Sequence, residues 1–158
     1  MAEQLGRHIQ APAKCHWPIW AWYQWEDSEK RRPDLRASSH LEKGMPGVRM
    51  EIEVDGTKVL LSDFMLWHYV LNYWYLPTSE KEGENFEKEI GRQGLSFYET
   101  KALPPPHHKR IEKSWQRIFD LDWMVPGISS ARADKSIQAV FWELRIEQVK
   151  KVDTFRVR

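Results

Sequence analysis

His68 and Asn72 stand four residues apart in the run DFMLWHYVLNYWY, and Asp63 heads the same run. On a helix that spacing puts imidazole and amide on one face, with a carboxylate near the N-terminus. An imidazole titrates close to neutral pH, so this trio could act as acid, base or ligand contact at the mouth of a pocket. The plainer account, which the spacing favours, is a capping aspartate and polar groups satisfied inside the core. Glu143 is the other candidate for catalysis. It follows Trp142 on the late run IQAVFWELRI, beside Gln138 and aromatic neighbours. A strand with one solvated face explains it more simply.

Aromatic residues offer a different chemistry. Nine tryptophans occupy positions 17, 20, 22, 25, 67, 74, 115, 123 and 142. Each such ring can bury roughly 150–250 Å². The aromatic strand at 17–25, with Trp67, Trp74 and Trp142, is a candidate stacking platform that takes a base, a nucleotide or a sugar, with Trp22, Tyr23, Trp67 and Trp142 as its named ligand contacts. Guanidinium groups of Arg31, Arg32 and Arg36 could meet a phosphate there. Core packing is the stronger account of any single ring. With nine of them, at least one partly exposed ring in a cleft is expected.

Other chemistries are disfavoured. Cys15 is the only cysteine, so no internal disulfide can form, which fits a reducing compartment. Cys15-His16 and His107-His108 are adjacent pairs without zinc-ligand spacing, and no metal is expected. Asp120 and Asp122 read as a helix-terminal turn. No G-x-G-x-x-G, Walker A or G-x-S-x-G string occurs, and Gly91 and Gly94 follow no strand, so no cofactor is expected. With 24 basic and 23 acidic residues, no global basic excess marks a nucleic-acid binder, although local patches leave nucleic acid open. No run approaches the ~20 apolar residues of a membrane span, and the N-terminus has no signal-peptide core. No membrane partner is expected, and the cytoplasm is the default compartment.

The elements that must hold these residues follow from periodicity. Residues 1–9 have helical spacing that Pro12 ends. Residues 17–25 alternate with apolar side chains on both faces, predicting a strand buried on both sides with Pro18 at its start or on an edge. Residues 26–47 are polar and rich in Pro and Gly, predicting a long surface loop. Residues 48–54 alternate as a half-exposed strand, Asp55-Gly56 signals a tight turn, and 59–61 would return as a short strand. Ser62 or Asp63 should cap a central helix to about Tyr75, stopped by Pro77. Weaker helical spacing covers 84–98, and 103–106 reads as an extended proline connector. An amphipathic helix over 108–121 and an irregular loop over 124–135 precede strands at 137–146 and 147–158. The 158 residues therefore predict one α+β domain, with a small, mostly antiparallel or mixed sheet packed against three to four helices.

Several strings are familiar in combination: PIWAWYQWED at 18–27, VLLSDFMLWHYVLNYWY at 59–75, SWQRIFDLDW at 114–123 and IQAVFWELRIEQVKKV at 137–152. In that order they resemble the bacterial family catalogued as domain of unknown function 3841, over nearly the whole chain. The resemblance implies no assigned activity and no catalytic residues. Members of that family tend to begin with an extra strand and helix before the segment that Met1–Gln10 resembles. A helix starting at Met1 without an N-cap points the same way, to a domain that begins earlier. An edge left uncovered by such a missing strand would invite a homodimer.

Three functional expectations follow. The first is a binding module whose aromatic cleft takes a nucleotide-like or other flat small molecule, through Trp22, Tyr23, Arg36, Asp63, Trp67, His68, Asn72 and Trp142. The second is an enzyme of ADP-ribosyltransferase-like architecture, by fold analogy alone, with His68 or Glu143 as catalytic groups. The third is a protein-interaction domain without a small ligand. The balance leans away from an enzyme.

Overall fold

A computed structural model describes residues 1–30, 32–36, 41–97 and 102–158. The fold is α+β, and both of its small sheets are antiparallel. Strands β1 (Ile19–Gln24), β3 (Leu60–Asp63) and β4 (Ile137–Phe141) form one sheet in the order β1-β4-β3. Strands β2 (Pro46–Ile52) and β5 (Val149–Arg156) form the other.

β4 holds the centre because its side chains are apolar on both faces. Ile137, Ala139, Val140 and Phe141 are all buried. Residues opposite one another in antiparallel strands share a face. The register therefore lines up Trp20, Val140 and Leu60 on one face, followed by Trp22, Gln138 and Ser62. Helix α1 (Ala2–His8) covers the Val140 end of that face. Its fully buried Leu5 packs with Val140 and Trp142, and the Trp142 indole N–H donates to Ile9 O at 2.8 Å.

The expectation that β1 is buried on both sides does not hold. It is an edge strand, with Ile19 38% and Trp20 46% exposed. Its apolar alternation reflects aromatic neighbours on one face rather than a second covering layer. Pro18 precedes the edge strand, where its missing N–H leaves no ladder bond unmade.

The Asp55-Gly56 hairpin is also corrected. Asp55 instead caps one 3₁₀ turn, Gly56–Lys58, accepting the Thr57 N–H at 2.9 Å. The segments on either side enter different sheets, and β2 finds its partner in β5.

The long helix expected over 62–75 is reduced to α2 (Trp67–Leu71). Ser62 and Asp63 belong to β3, and Tyr73 takes φ 58°, which ends any helical path. Asp63 nonetheless keeps its capping chemistry, its Oδ1 accepting the N–H groups of Met65 at 2.9 Å and Leu66 at 3.3 Å.

Helix α3 (Glu80–Arg92) starts earlier than its apolar spacing suggests, because the Ser79 side chain accepts the Glu82 N–H. Gly94, at φ +70°, lets the chain turn so that Leu95 N–H reaches Ile90 O at 3.0 Å. Helix α4 (Pro105–Ser114) begins inside the proline connector, since proline suits the first helical turn. It passes into a 3₁₀ turn over Trp115–Phe119. Phe86 and Ile90 of α3 pack on Leu103 and on Ile111 of α4. The strand expected over 137–146 stops at Phe141, and Ile146, 79% exposed, sits in a 3₁₀ turn.

Candidate functional site

The site begins with Ser62, Gln138 and Trp22, which lie side by side across β3, β4 and β1. Ser62 is fully buried and its Oγ accepts the Trp67 indole N–H at 3.1 Å. That bond holds Trp67 back over the sheet at the start of α2. The turn leading there is set by the Asp63 cap. Trp67 then meets Trp20 edge to face, with centroids 5.8 Å apart.

A second row of rings runs beside the first. Phe64 meets Trp22 at 4.9 Å, Trp25 meets Trp22 at 4.5 Å, and His68 meets Phe64 at 5.9 Å, all edge to face. Such pairs contribute about 0.5–1.5 kcal/mol each beyond their burial, so they fix ring orientation as well as stability. The face is not closed over. Trp20 is 46% exposed and His68 is exposed. His68 Nδ1 lies 3.0 Å from Met65 O. A carbonyl only accepts, so Nδ1 carries the proton in that bond and a neutral ring keeps Nε2 as an acceptor.

Below the turn lies a buried ionic post. Lys135 Nζ is 3.2 Å from Asp63 Oδ2 and donates to Trp123 O at 2.8 Å. The two side chains are 1% and 3% exposed. Gln24 Nε2 donates to the Arg132, Ala133 and Lys135 carbonyls, tying the preceding loop to β1.

The residues expected to form one site fall in three places. Trp22, Trp67 and His68 come together on the aromatic face. Asp63 lies beneath it, with its oxygens committed to the Lys135 pair and the cap. Tyr23 is the extra residue of a bulge between Trp22 and Gln24 and is 42% exposed. Asn72 turns back on its own helix, Nδ2 donating to His68 O at 2.8 Å.

Trp142 is 8% exposed with its indole N–H committed to Ile9. Glu143, 3.6 Å from Arg145, lines a cleft of about 480 Å³ with Gln10, Lys58 and the edge of Trp142. Arg36 lines a second cleft of about 480 Å³, against the two-stranded β2–β5 sheet. Its guanidinium grips Asp34 at 2.8 Å and holds that carboxyl down at about 2. Arg32 pairs with Glu51 at 2.7 Å, and Arg31 lies outside the described residues. Arg32 and Arg36 thus engage carboxylates near the β2–β5 sheet, not the rings.

Phe64 and Lys135 complete the arrangement without having been singled out as site residues. Trp20 figures in the expected aromatic platform over 17–25 and Gln138 beside Glu143, but neither is among the expected ligand contacts. Alternation with Trp22 was a signal available for Trp20. Nothing local marks Lys135, whose partner is 72 positions earlier by residue number. Among the described residues no group of three or more His, Cys, Asp or Glu side chains is placed to hold a metal. No helix among them is long and apolar enough to cross a membrane.

A protein-family model described as domain of unknown function (DUF3841) matches residues 1–150. No curated protein and no solved structure matches the chain.

Proposed function

The chain belongs to the DUF3841 family, and from that premise we propose that it is a binding module that takes a flat, nucleotide-like ligand against the aromatic face of its three-stranded sheet. The observation that supports this most is Trp20. It is 46% exposed, yet its ring is held edge to face by Trp67, itself fixed through Ser62. A rigid, half-open indole loses little freedom when a second ring stacks on it.

Magnitudes limit the claim. Stacking of a base on an aromatic side chain contributes about 1–3 kcal/mol. Binding at 1 mM already needs about 4 kcal/mol. One or two rings therefore give weak binding, and polar contacts must supply any real affinity. The proposal stops at binding. His68 lies against Phe64 while Glu143 pairs with Arg145 beside a different cleft, and among the described residues no contact joins them.

The test is a titration of the full chain with nucleosides, nucleotides and short single-stranded oligonucleotides, read by thermal shift and by indole NMR signals. At least one of these classes should shift the Trp20 and Trp67 indole signals, and Trp20→Ala should abolish binding while the fold persists. Unmoved indole signals throughout the series would discard the reading.

A further inference from the structure

Gln138 is the polar group on this face that packing leaves unused. It sits on the central strand, opposite Trp22 on one side and Ser62 on the other. It is half-buried. Among the described residues its side-chain amide makes no hydrogen bond. Nor is that amide sealed, because the one fully buried side-chain nitrogen or oxygen without a partner among them is His107 Nδ1. Gln24, on the same sheet, shows the contrast, since its amide nitrogen serves three carbonyls. The register sets Gln138 beside Trp22 and Ser62, on the face that carries the Trp22–Phe64 and Trp20–Trp67 ring pairs.

Resting on the reading of this face as a stacking site, we propose that Gln138 reads the edge of an adenine-type base. A carboxamide presents one acceptor and one donor side by side. That pair complements an amino group next to an unsubstituted ring nitrogen, as adenine displays it. The rings supply contact that any base would satisfy, and Gln138 supplies the discrimination. Ser62 takes no part, because its hydroxyl is fully buried and already accepts from Trp67.

The experiment compares adenosine with purine riboside, which has the same rings without the amino group, by calorimetry on the full chain. Adenosine should bind about tenfold more tightly. Gln138→Leu should erase that difference while leaving purine riboside binding unchanged. Gln138→Glu, which offers only acceptors, should turn the preference toward guanosine, whose adjacent ring N–H and amino group both donate. Equal binding of adenosine and purine riboside by the parent overturns the edge-reading role and leaves stacking intact, as does a preference that survives Gln138→Leu. No binding of any of the three nucleosides overturns the edge-reading role, and the stacking reading falls with it when nucleotides and oligonucleotides also leave the indole signals unmoved. Should Gln138→Leu fail to fold, Gln138→Met, which keeps the side-chain length without the amide, makes the same comparison.

Discussion

Lys135 Nζ lies 3.2 Å from Asp63 Oδ2, and both side chains are almost wholly withdrawn from solvent. Such a pair stabilises little relative to apolar residues of the same shape, but removing one partner strands the other charge. Lys135→Met should therefore lower stability by about 3–5 kcal/mol. Asp63→Asn/Lys135→Met should recover part of that loss, since the amide oxygen can still cap Met65 and Leu66. Urea midpoints of the two proteins test this. An unchanged midpoint for Lys135→Met would mean that the pair does not anchor the turn.

Trp67 and Ser62 form a second dependent pair. Trp67→Phe keeps a ring opposite Trp20 but leaves a fully buried hydroxyl without its donor. The expected loss is about 1–3 kcal/mol, the usual penalty for an unpaired buried polar group. Adding Ser62→Ala should return most of it. A double-mutant cycle on chemical denaturation reads the coupling, and additive losses would refute it.

Glu82 makes one part of the fold sensitive to acid. Its carboxylate accepts the Thr78 hydroxyl and N–H at 2.6 Å each, and the Tyr75 hydroxyl at 2.6 Å. These bonds, the Thr78 hydroxyl first, depress its pKa from 4.5 to about 2. A depressed carboxyl contributes stability that is present above the ordinary value and is lost as pH falls toward the folded one. Discounted for solvent screening, Glu82→Gln should cost about 1 kcal/mol at neutral pH. That difference should shrink between pH 4.5 and about pH 2. A difference that stays constant through that window would assign the loss to packing.

Gly47 faces Phe155 across the β2–β5 pair, and a methyl group there would collide with the Phe155 ring. Gly47→Ala should destabilise the β2–β5 pairing by about 1–3 kcal/mol, the usual cost of overpacking. Combining it with Phe155→Leu should return part of this. Amide exchange in β2 and the thermal midpoint are the readouts. Unaltered exchange would show that the ring simply swings aside.

Local chemistry was readable in the sequence, and distant pairing was not. The Asp63 cap and the apolar faces of α3 and α4 follow from neighbours within a few residues, whereas the helix expected to run on to Pro77 already ends at Leu71. The same locality misled over 62–75, where apolar residues on every side suggest a helix although Ser62 and Asp63 complete a strand. Asp55-Gly56 is sound turn chemistry, but it cannot say that Arg49 will lie opposite Asp153. The candidate site divides likewise. Trp22, Trp67 and His68 could be proposed from type and spacing. Gln138 could be placed on the face of the two ring pairs only once the register of β4 was known.

The order β1-β4-β3 has a kinetic meaning. β1 and β3 never pair with each other, and each waits for β4. The β2–β5 pair waits too, because Arg49 and Asp153 are separated by 104 positions. Long-range pairing of this kind slows folding, since loop closure must precede the contacts that reward it. During synthesis, everything up to residue 136 emerges with no strand partner, and the tryptophan-bearing edge of β1 stays open to other chains until β4 arrives. A chain interrupted before Ile137 would lose both sheets at once, because β4 and β5 both lie beyond that point.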